Sequence, residues 1–185
     1  MATRSADQRP VIAHVILVGL PGAGKSSVGR RVASQLGRPF LDFDDELERR
    51  MSMTVAEIFR THGEPHFRRL ELALTQELAH SGGAILAPGG GWITVPGALA
   101  LLRPPARMIY LRVAPEVAIL RIGSSRRARP LLEAQEPLEV LRRIAEQREM
   151  AYRQADYVID TDLVDVESLA VQVARLVDPS IGSRV

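Results

Sequence analysis

Several residue types are scarce in this 185-residue chain, and each scarcity excludes a class of protein. Cysteine is absent, which excludes disulfides, thiolate metal sites and a cysteine nucleophile. Aromatic residues make up only 4%, too few for the stacking platform of a single-strand nucleic-acid binder. No apolar run reaches about 18 residues, so we expect no membrane span. Residues 1–10 lack the apolar segment of a secretory signal, so we expect a cytoplasmic protein.

Lysine is also scarce, because Lys25 is the only lysine among 24 basic residues. The chain has a net charge of +2, and its isoelectric point near 9.5 reflects the high pKa of arginine. This balance does not by itself indicate a nucleic-acid partner. Hydrophobic residues at 46% and charged residues at 25% are typical of a globular protein, and the length suits a single domain.

Short apolar runs alternate with helical patterns along the chain, which is typical of βαβ units. The predicted fold is an α/β, three-layer domain with a five-stranded parallel sheet flanked by helices. We predict flexible tails over residues 1–11 and 178–185 and a mobile loop over 124–135, which lacks any hydrophobic period. The predicted strands are 14–18, 39–42, 84–87, 108–113 and 157–160, and the helices include 25–36, 44–51, 66–80, 96–102, 137–155 and 165–177.

The strongest motif reads GLPGAGKS from Gly19 to Ser26 and matches the pattern G-x-x-x-x-G-K-[ST] of a phosphate-binding P-loop. A buried strand is predicted before it and a helix after it, as the motif requires. The glycines let successive backbone N–H groups face phosphate oxygens, and the helix presents its positive N-terminus to the same anion. Lys25 supplies a flexible point charge for the β- and γ-phosphates, and Ser26 supplies a hydroxyl for Mg²⁺.

The P-loop therefore predicts a nucleoside triphosphate and Mg²⁺ as cofactors. The residues that we expect to hold the nucleotide are Gly22, Ala23, Gly24, Lys25, Ser26 and Ser27. The motif does not name the group that receives the phosphoryl.

Four further signatures follow the P-loop in order: Leu41-Asp42-Phe43-Asp44, the segment Gly63–Glu71, Gly89-Gly90-Gly91, and Arg129-Pro130-Leu131-Leu132 with Arg148, Tyr152 and Asp156 beyond it. Together with the P-loop they resemble the shikimate kinase family over residues 12–177. The resemblance implies a P-loop kinase fold in which residues 124–135 form a lid. It also implies transfer of the γ-phosphoryl of ATP, with Mg²⁺, to the 3-hydroxyl of shikimate in aromatic amino acid (chorismate) biosynthesis. We expect a monomer that binds neither nucleic acid nor membrane.

The resemblance implies a role for each matching residue. Asp42 and Ser26 are expected to hold the metal, and Asp44 to contact the substrate hydroxyls and act in catalysis. Asp42 and Asp44 lie two residues apart after a strand that we place beside the P-loop strand, so both are expected to point to one side. A helix-capping role for Asp44 is the alternative.

The substrate carboxylate is expected to lie between Arg68 and Arg148, because a guanidinium fork suits a planar carboxylate. Glu71 lies on the same helical face as Arg68 and is expected to orient a group of the site. The family places the substrate against Gly89, Gly90 and Gly91, and three glycines let a ligand approach the backbone. The lid residue Arg129 is expected to contact the transferring phosphate and the nucleotide and so to act in catalysis.

Two residues depart from the family pattern. Trp92, the only tryptophan, follows the triple glycine where a small or aliphatic residue is expected. It could pack into the core, wall one side of the site, or reshape it. Ile122 stands where relatives often carry an arginine near the adenine.

Other functions remain open at this point. A related kinase, for example one acting on gluconate, would share the P-loop but leave the two arginines and the triple glycine without a purpose. A ligand sensor without turnover has only Trp92 and Ile122 in its favour. A nucleic-acid-binding protein has only the isoelectric point.

Overall fold

The structure is a computed structural model that describes residues 13–123 and 136–179. Its sheet has five strands, and every neighbouring pair is parallel. The strands are β1 Val15–Val18, β2 Phe40–Asp42, β3 Ile85–Ala87, β4 Arg107–Arg112 and β5 Tyr157–Asp160. The helices are α1 Lys25–Leu36, α2 Phe43–Met51, α3 Val55–His62, α4 Glu64–Leu78, α5 Ala98–Leu102, α6 Pro115–Ile122, α7 Pro137–Tyr152 and α8 Val166–Val177, with a 3₁₀ turn at Trp92–Thr94.

The sheet has helices on both faces, as the sequence predicts. All four residues of β1 and all three of β3 are buried, although successive side chains of a strand point to opposite faces. Both faces are therefore covered, and the helices pack in pairs, α1 with α8, α3 with α4 and α6 with α7. The three-layer α/β architecture is confirmed.

The order of the strands differs from our expectation. They run β2-β3-β1-β4-β5, so β3 lies between β1 and β2. The prediction that β2 lies beside the P-loop strand is therefore wrong. β3 pairs with β1 through Val15 and Ile85 and with β2 through Asp42 and Ala87. This brings the carboxyl end of β3, which leads into the triple glycine, between the P-loop and Asp42.

Helix boundaries differ from the predicted ones by a few residues. Helix α4 begins at Glu64 rather than at residue 66, because Pro65 fits the first helical turn, where its missing N–H is not needed. Helix α2 begins at Phe43, and Asp42 is its N-cap. The sequence Thr54-Val-Ala-Glu57 matches the capping-box pattern, and Thr54 and Glu57 form this box at the start of α3.

Some predictions fall on residues that lie outside the described ranges. These are the N-terminal tail over residues 1–11, the lid over 124–135 with Arg129, and residues 180–185 of the C-terminal tail. Among the described helices, none combines the length and hydropathy needed to cross a bilayer.

Candidate functional site

The P-loop joins β1 to α1, and its glycines adopt conformations that other residues rarely tolerate. Gly22 and Gly24 have φ of 85° and 91°, in the left-handed region. A Cβ on Gly22 would also lie 2.6 Å from the backbone oxygen of Ala118 in α6. The loop therefore bends tightly at Gly22 because this residue has no side chain.

The N-terminus of α1 differs from those of three other helices. A side chain caps α2 (Asp42), α3 (Thr54) and α8 (Asp165), whereas the N-cap of α1 is Gly24, which has no side chain, and the first turn of α1 has no acidic residue. The first amides of a helix lack partners within the helix and carry partial positive charge. The start of α1 is thus suited to an anion such as a phosphate.

Lys25 lies at the first position of α1. Its Nζ donates hydrogen bonds to the carbonyl oxygens of Gly19 at 3.0 Å and Leu20 at 3.2 Å. The ammonium group is therefore held at the start of the loop by these two carbonyls.

Ser26 and Asp42 lie in contact although 16 residues separate them. The Ser26 hydroxyl donates a hydrogen bond to Asp42 Oδ2, while Asp42 Oδ1 accepts the backbone N–H of Asp44 at 3.0 Å. Asp42, rather than Asp44, is therefore the helix cap, which answers the alternative raised for Asp44. The expectation that strand geometry aligns the two carboxylates is wrong, because Asp44 already lies in the first turn of α2. Both still line the same cleft.

Each glycine of the triple lies against a charged side chain. A Cβ on Gly89 would lie 2.8 Å from Glu71 Oε1 and 3.0 Å from Asp44 Oδ1. A Cβ on Gly91 would overlap the guanidinium group of Arg68. The glycines therefore make room for the side chains of the site itself, a purpose that the sequence analysis did not anticipate.

A Cβ on the middle residue, Gly90, would lie 3.3 Å from Arg148 Nη1. Arg148 is 8% exposed, and its Nη1 is buried without a hydrogen-bond partner among the described residues. A buried cation with an unpaired donor is costly unless an acceptor reaches it. The Arg148 guanidinium is thus suited to an anionic ligand.

Arg68 lies in α4 between two glutamates. Its Nη1 donates to Glu71 Oε2 at 2.6 Å, and its Nη2 donates to Glu64 Oε1 at 2.6 Å. The guanidinium therefore has a defined orientation against Gly91. The interaction between Arg68 and Glu71 agrees with the expectation that Glu71 orients a group of the site.

Glu71 is fully buried, and its Oε1 has no hydrogen-bond partner in the described part of the chain. Burial raises the pKa of this carboxyl to about 7, although Arg68 opposes the rise. Asp44 adds to the rise, and Arg148 opposes it. The four groups thus share one electrostatic environment, in which two carboxyls face two guanidinium groups.

A cleft of about 620 Å³ has Asp44 in its wall, whereas Arg68, Glu71 and Arg148 lie against the triple glycine and are not among the residues that line the cleft. It runs from Gly89 and Gly90 past Asp42 and the P-loop to the start of α8. Cofactor clefts commonly have volumes of 300–1,000 Å³.

The wall of the cleft beside α8 contains a residue that the sequence analysis missed. Arg121 lines the cleft next to Ile122, and its Nη2 donates to the Thr161 carbonyl at 2.5 Å and the Asp162 carbonyl at 3.1 Å. An arginine was expected at position 122, where Ile122 is buried. Arg121 directly precedes Ile122 in the sequence, and this adjacency was the signal that could have identified Arg121 as the arginine of the cleft.

Trp92 does not enter the cleft. Its side chain is fully buried, and its ring meets that of Phe43 edge to face with 6.2 Å between centroids. Of the three possibilities raised for Trp92, packing into the core is the one found.

Comparisons with known proteins agree with this arrangement. The family model described as shikimate kinase matches residues 21–177. The shikimate kinase of Caldanaerobacter subterraneus subsp. tengcongensis is 40% identical over 162 residues, which cover 88% of this chain and 94% of that protein. The shikimate kinase of Rhodopseudomonas palustris is 40% identical over 183 residues, which cover 96% of this chain and 90% of that protein.

A solved structure shows the same likeness in three dimensions. The shikimate kinase from Acinetobacter baumannii, in complex with shikimate, matches with a TM-score of 0.86 and 35% sequence identity, covering 91% of this chain and 94% of that chain. The P-loop, the glycine-lined cleft and the two arginines thus occur within a chain that these comparisons match almost throughout. The chain belongs to the shikimate kinase family, whose members use ATP as the phosphate donor.

Proposed function

We propose that this protein transfers the γ-phosphoryl of ATP to the 3-hydroxyl of shikimate, giving shikimate 3-phosphate and ADP. The observation that carries the proposal is the convergence on one glycine triplet of Asp44, Glu71, Arg68 and Arg148, next to the P-loop. One end of this region suits phosphate and the other suits a carboxylate. All these residues belong to one chain, so a monomer is sufficient for the proposed site.

At the donor end, the amides from Gly22 to Ser27 hold the phosphates, and Lys25 moves from the Gly19 and Leu20 carbonyls to the β- and γ-phosphates. The transition state of phosphoryl transfer is loose, so catalysis depends mainly on positioning and charge stabilisation. We assign Arg129 to the γ-phosphate on the family pattern.

At the acceptor end, Arg68 and Arg148 bind the substrate carboxylate, and Gly90 contacts the ring through its backbone. Asp44 orients the 3-hydroxyl and accepts its proton as the oxygen bonds to phosphorus and the β,γ-bridging bond breaks. The unpaired Arg148 Nη1 supports this assignment, since a carboxylate would satisfy it.

Ser26 and Asp42 fit a magnesium ion, because their oxygens already lie in contact. No group of three or more His, Asp or Glu residues suited to a metal occurs in the described ranges. Mg²⁺ commonly uses few protein ligands and keeps water and phosphate oxygens as the rest. When bound it would neutralise charge on the β- and γ-phosphate oxygens.

An ADP-release assay with and without shikimate tests the proposal. We expect ADP release to depend on shikimate, and Lys25→Ala to lower the rate on the order of a hundredfold or more while the protein stays folded. Lys25→Arg is the matched control for charge, and we expect it to remain slow, because a planar fork cannot follow the phosphates as an ammonium does.

Gluconate in place of shikimate distinguishes the alternatives. Gluconate-dependent ADP release without a shikimate response would identify another small-molecule kinase. Shikimate binding without ADP release would indicate a sensor. Near-normal turnover of Lys25→Ala would contradict the proposed donor site.

A further inference from the structure

The glycine loop is connected to both helices that carry the site arginines. Glycines 89–91 lie between α4, which carries Arg68, and α7, which carries Arg148. On each side, one aromatic side chain makes a hydrogen bond between the loop and the helix, Trp92 on the side of α4 and Tyr152 on the side of α7.

The connection to α4 is a hydrogen bond with a determined direction. Trp92 Nε1 lies 2.8 Å from Thr75 Oγ1, and both side chains are fully buried. The Thr75 hydroxyl donates its proton to the Glu71 carbonyl at 2.7 Å, so its oxygen accepts the proton of the indole. Indole nitrogen only donates, and a buried donor without a partner is costly. Trp92 is therefore held to α4 one turn beyond Glu71.

The indole ring also touches the helix that follows Asp42. Phe43, fully buried, lies between Asp42 and Asp44 in the sequence and packs edge to face against Trp92. The backbone N–H of Trp92 donates to the Gly89 carbonyl at 3.0 Å, which closes the turn of the glycine loop. One side chain thus links α2, α4 and the loop.

The opposite side of the loop is anchored in a similar way. The Tyr152 hydroxyl donates to the Gly90 carbonyl at 2.9 Å, and Tyr152 lies one turn beyond Arg148. Its ring stacks on Tyr110 of β4 with 4.8 Å between centroids. The loop is therefore anchored on the α7 side by Tyr152 and on the α4 side by Trp92.

We propose that Trp92 is a positioning residue for the acceptor site, which holds the glycine loop against α4 so that Arg68 keeps its place over Gly91. Trp92 does not touch the cleft and acts through the loop, Thr75 and Phe43. The inference rests on the proposed function, because it concerns the affinity for shikimate. It predicts a defect at the acceptor end and none at the P-loop.

The test compares the kinetics of Trp92→Phe and Thr75→Val with those of the unaltered protein. Trp92→Phe keeps an aromatic ring but loses the Nε1 donor, and Thr75→Val keeps the shape but loses the acceptor. For each variant we expect the KM for shikimate to rise about tenfold, while the KM for ATP stays within about twofold. The double variant is expected to show a rise no larger than Thr75→Val alone, because both changes remove the same bond.

Val32→Ala serves as the control for stability alone. Val32 is buried in α1, whereas the partners of Trp92 lie in α2 and α4, so its truncation is expected to lower stability without removing the proposed connection. We expect this variant to leave the KM for shikimate within about twofold. If Trp92→Phe is destabilised like Val32→Ala but keeps its KM for shikimate, or if both KM values rise equally, the inference is overturned. Failure of the unaltered protein to release ADP with shikimate would instead overturn the proposed function.

Discussion

Residues of the site lie very close to one another, so a substitution that adds even a small side chain is expected to displace a particular neighbour. Gly91 shows this most clearly, because the Arg68 guanidinium occupies the space that a side chain would take. Its φ of −89° is one that any residue adopts. A larger residue there would therefore act through steric overlap and not through backbone strain.

Gly91→Ala is expected to displace the Arg68 guanidinium and raise the KM for shikimate roughly tenfold or more, which corresponds to about 1.4 kcal/mol of lost binding free energy. The KM for ATP should stay within about twofold, since Gly91 does not line the cleft at the P-loop. Steady-state kinetics with each substrate varied in turn measures both. An unchanged KM for shikimate would mean that Arg68 does not bind the substrate from this position.

Glu71 gives a second prediction, which concerns pH. Burial raises the pKa of its carboxyl to about 7, compared with 4.5 in an unfolded chain. Between these pH values the folded protein binds more protons than the unfolded one, so this group makes stability fall as pH rises from about 4.5 to 7. The full effect is on the order of 3 kcal/mol.

Glu71→Gln removes the titrating group and is expected to lack this decline. Urea unfolding of both proteins at pH 5 and pH 8 measures the difference, and other titrating groups contribute equally to each. The same pH slope in both proteins would show that the Glu71 carboxyl does not titrate in this range. We expect the variant to bind shikimate more weakly, because Arg68 loses a charged partner.

Most side chains of the site lie on helices, and the capping residues at a helix N-terminus determine where that helix begins. The capping box of α3 is the best-defined example. The Thr54 hydroxyl accepts the Glu57 N–H at 3.2 Å, and the Glu57 carboxylate accepts the Thr54 N–H at 2.7 Å. Thr54 is exposed and Glu57 is half-buried, and each bonds to the other within the cap, so we expect them to affect the helix terminus and little else.

Thr54→Ala is expected to lower the free energy of unfolding by about 1 kcal/mol, because one amide of the first turn loses its acceptor. Thr54→Ser keeps the hydroxyl and should lose much less. Urea unfolding measures both changes, while kinetics below the unfolding transition should be unaltered. Equal losses in the two variants would point to the methyl group rather than to the cap.

The whole molecule joins the two ends of the cleft in one fold, so ligands at either end are expected to stabilise all of it. A ligand at 100 times its Kd adds about 2.7 kcal/mol to the free energy of unfolding. For a chain of this size that corresponds to a rise in Tm of roughly 5–10 °C. We expect ADP and shikimate each to raise the Tm of the unaltered protein.

Arg68→Ala should lose most of the stabilisation by shikimate at the same concentration and keep the stabilisation by ADP. Arg69→Ala is the matched control, because Arg69 is the exposed neighbour of Arg68 and contacts His66, whereas Arg68 lies against Gly91. Thermal unfolding of each of the two variants with ADP and with shikimate measures these changes in Tm. Equal losses in Arg68→Ala and Arg69→Ala would argue against a carboxylate-binding role that is specific to Arg68.

Features that depend on neighbours in the chain could be predicted from the residues alone. The P-loop with its flanking strand and helix, the capping box of Thr54 and Glu57, and the existence of five parallel strands all follow from hydrogen bonding or periodicity over a few residues. The order of the strands could not be predicted in this way, because it depends on which strands pair with each other when the helices pack on the sheet and exclude water. β3 therefore lies between β1 and β2, although it is later in the sequence.

The same limit applies inside the site. The triple glycine predicted a close approach to the backbone, but only packing between distant elements shows that Arg68, Arg148, Glu71 and Asp44 make that approach. Likewise, the sequence predicted an unusual residue at Trp92 but not its partner Thr75, since the two meet only when α4 packs beside the glycine loop. Chain-local chemistry thus determined the motifs, and long-range packing determined what surrounds them.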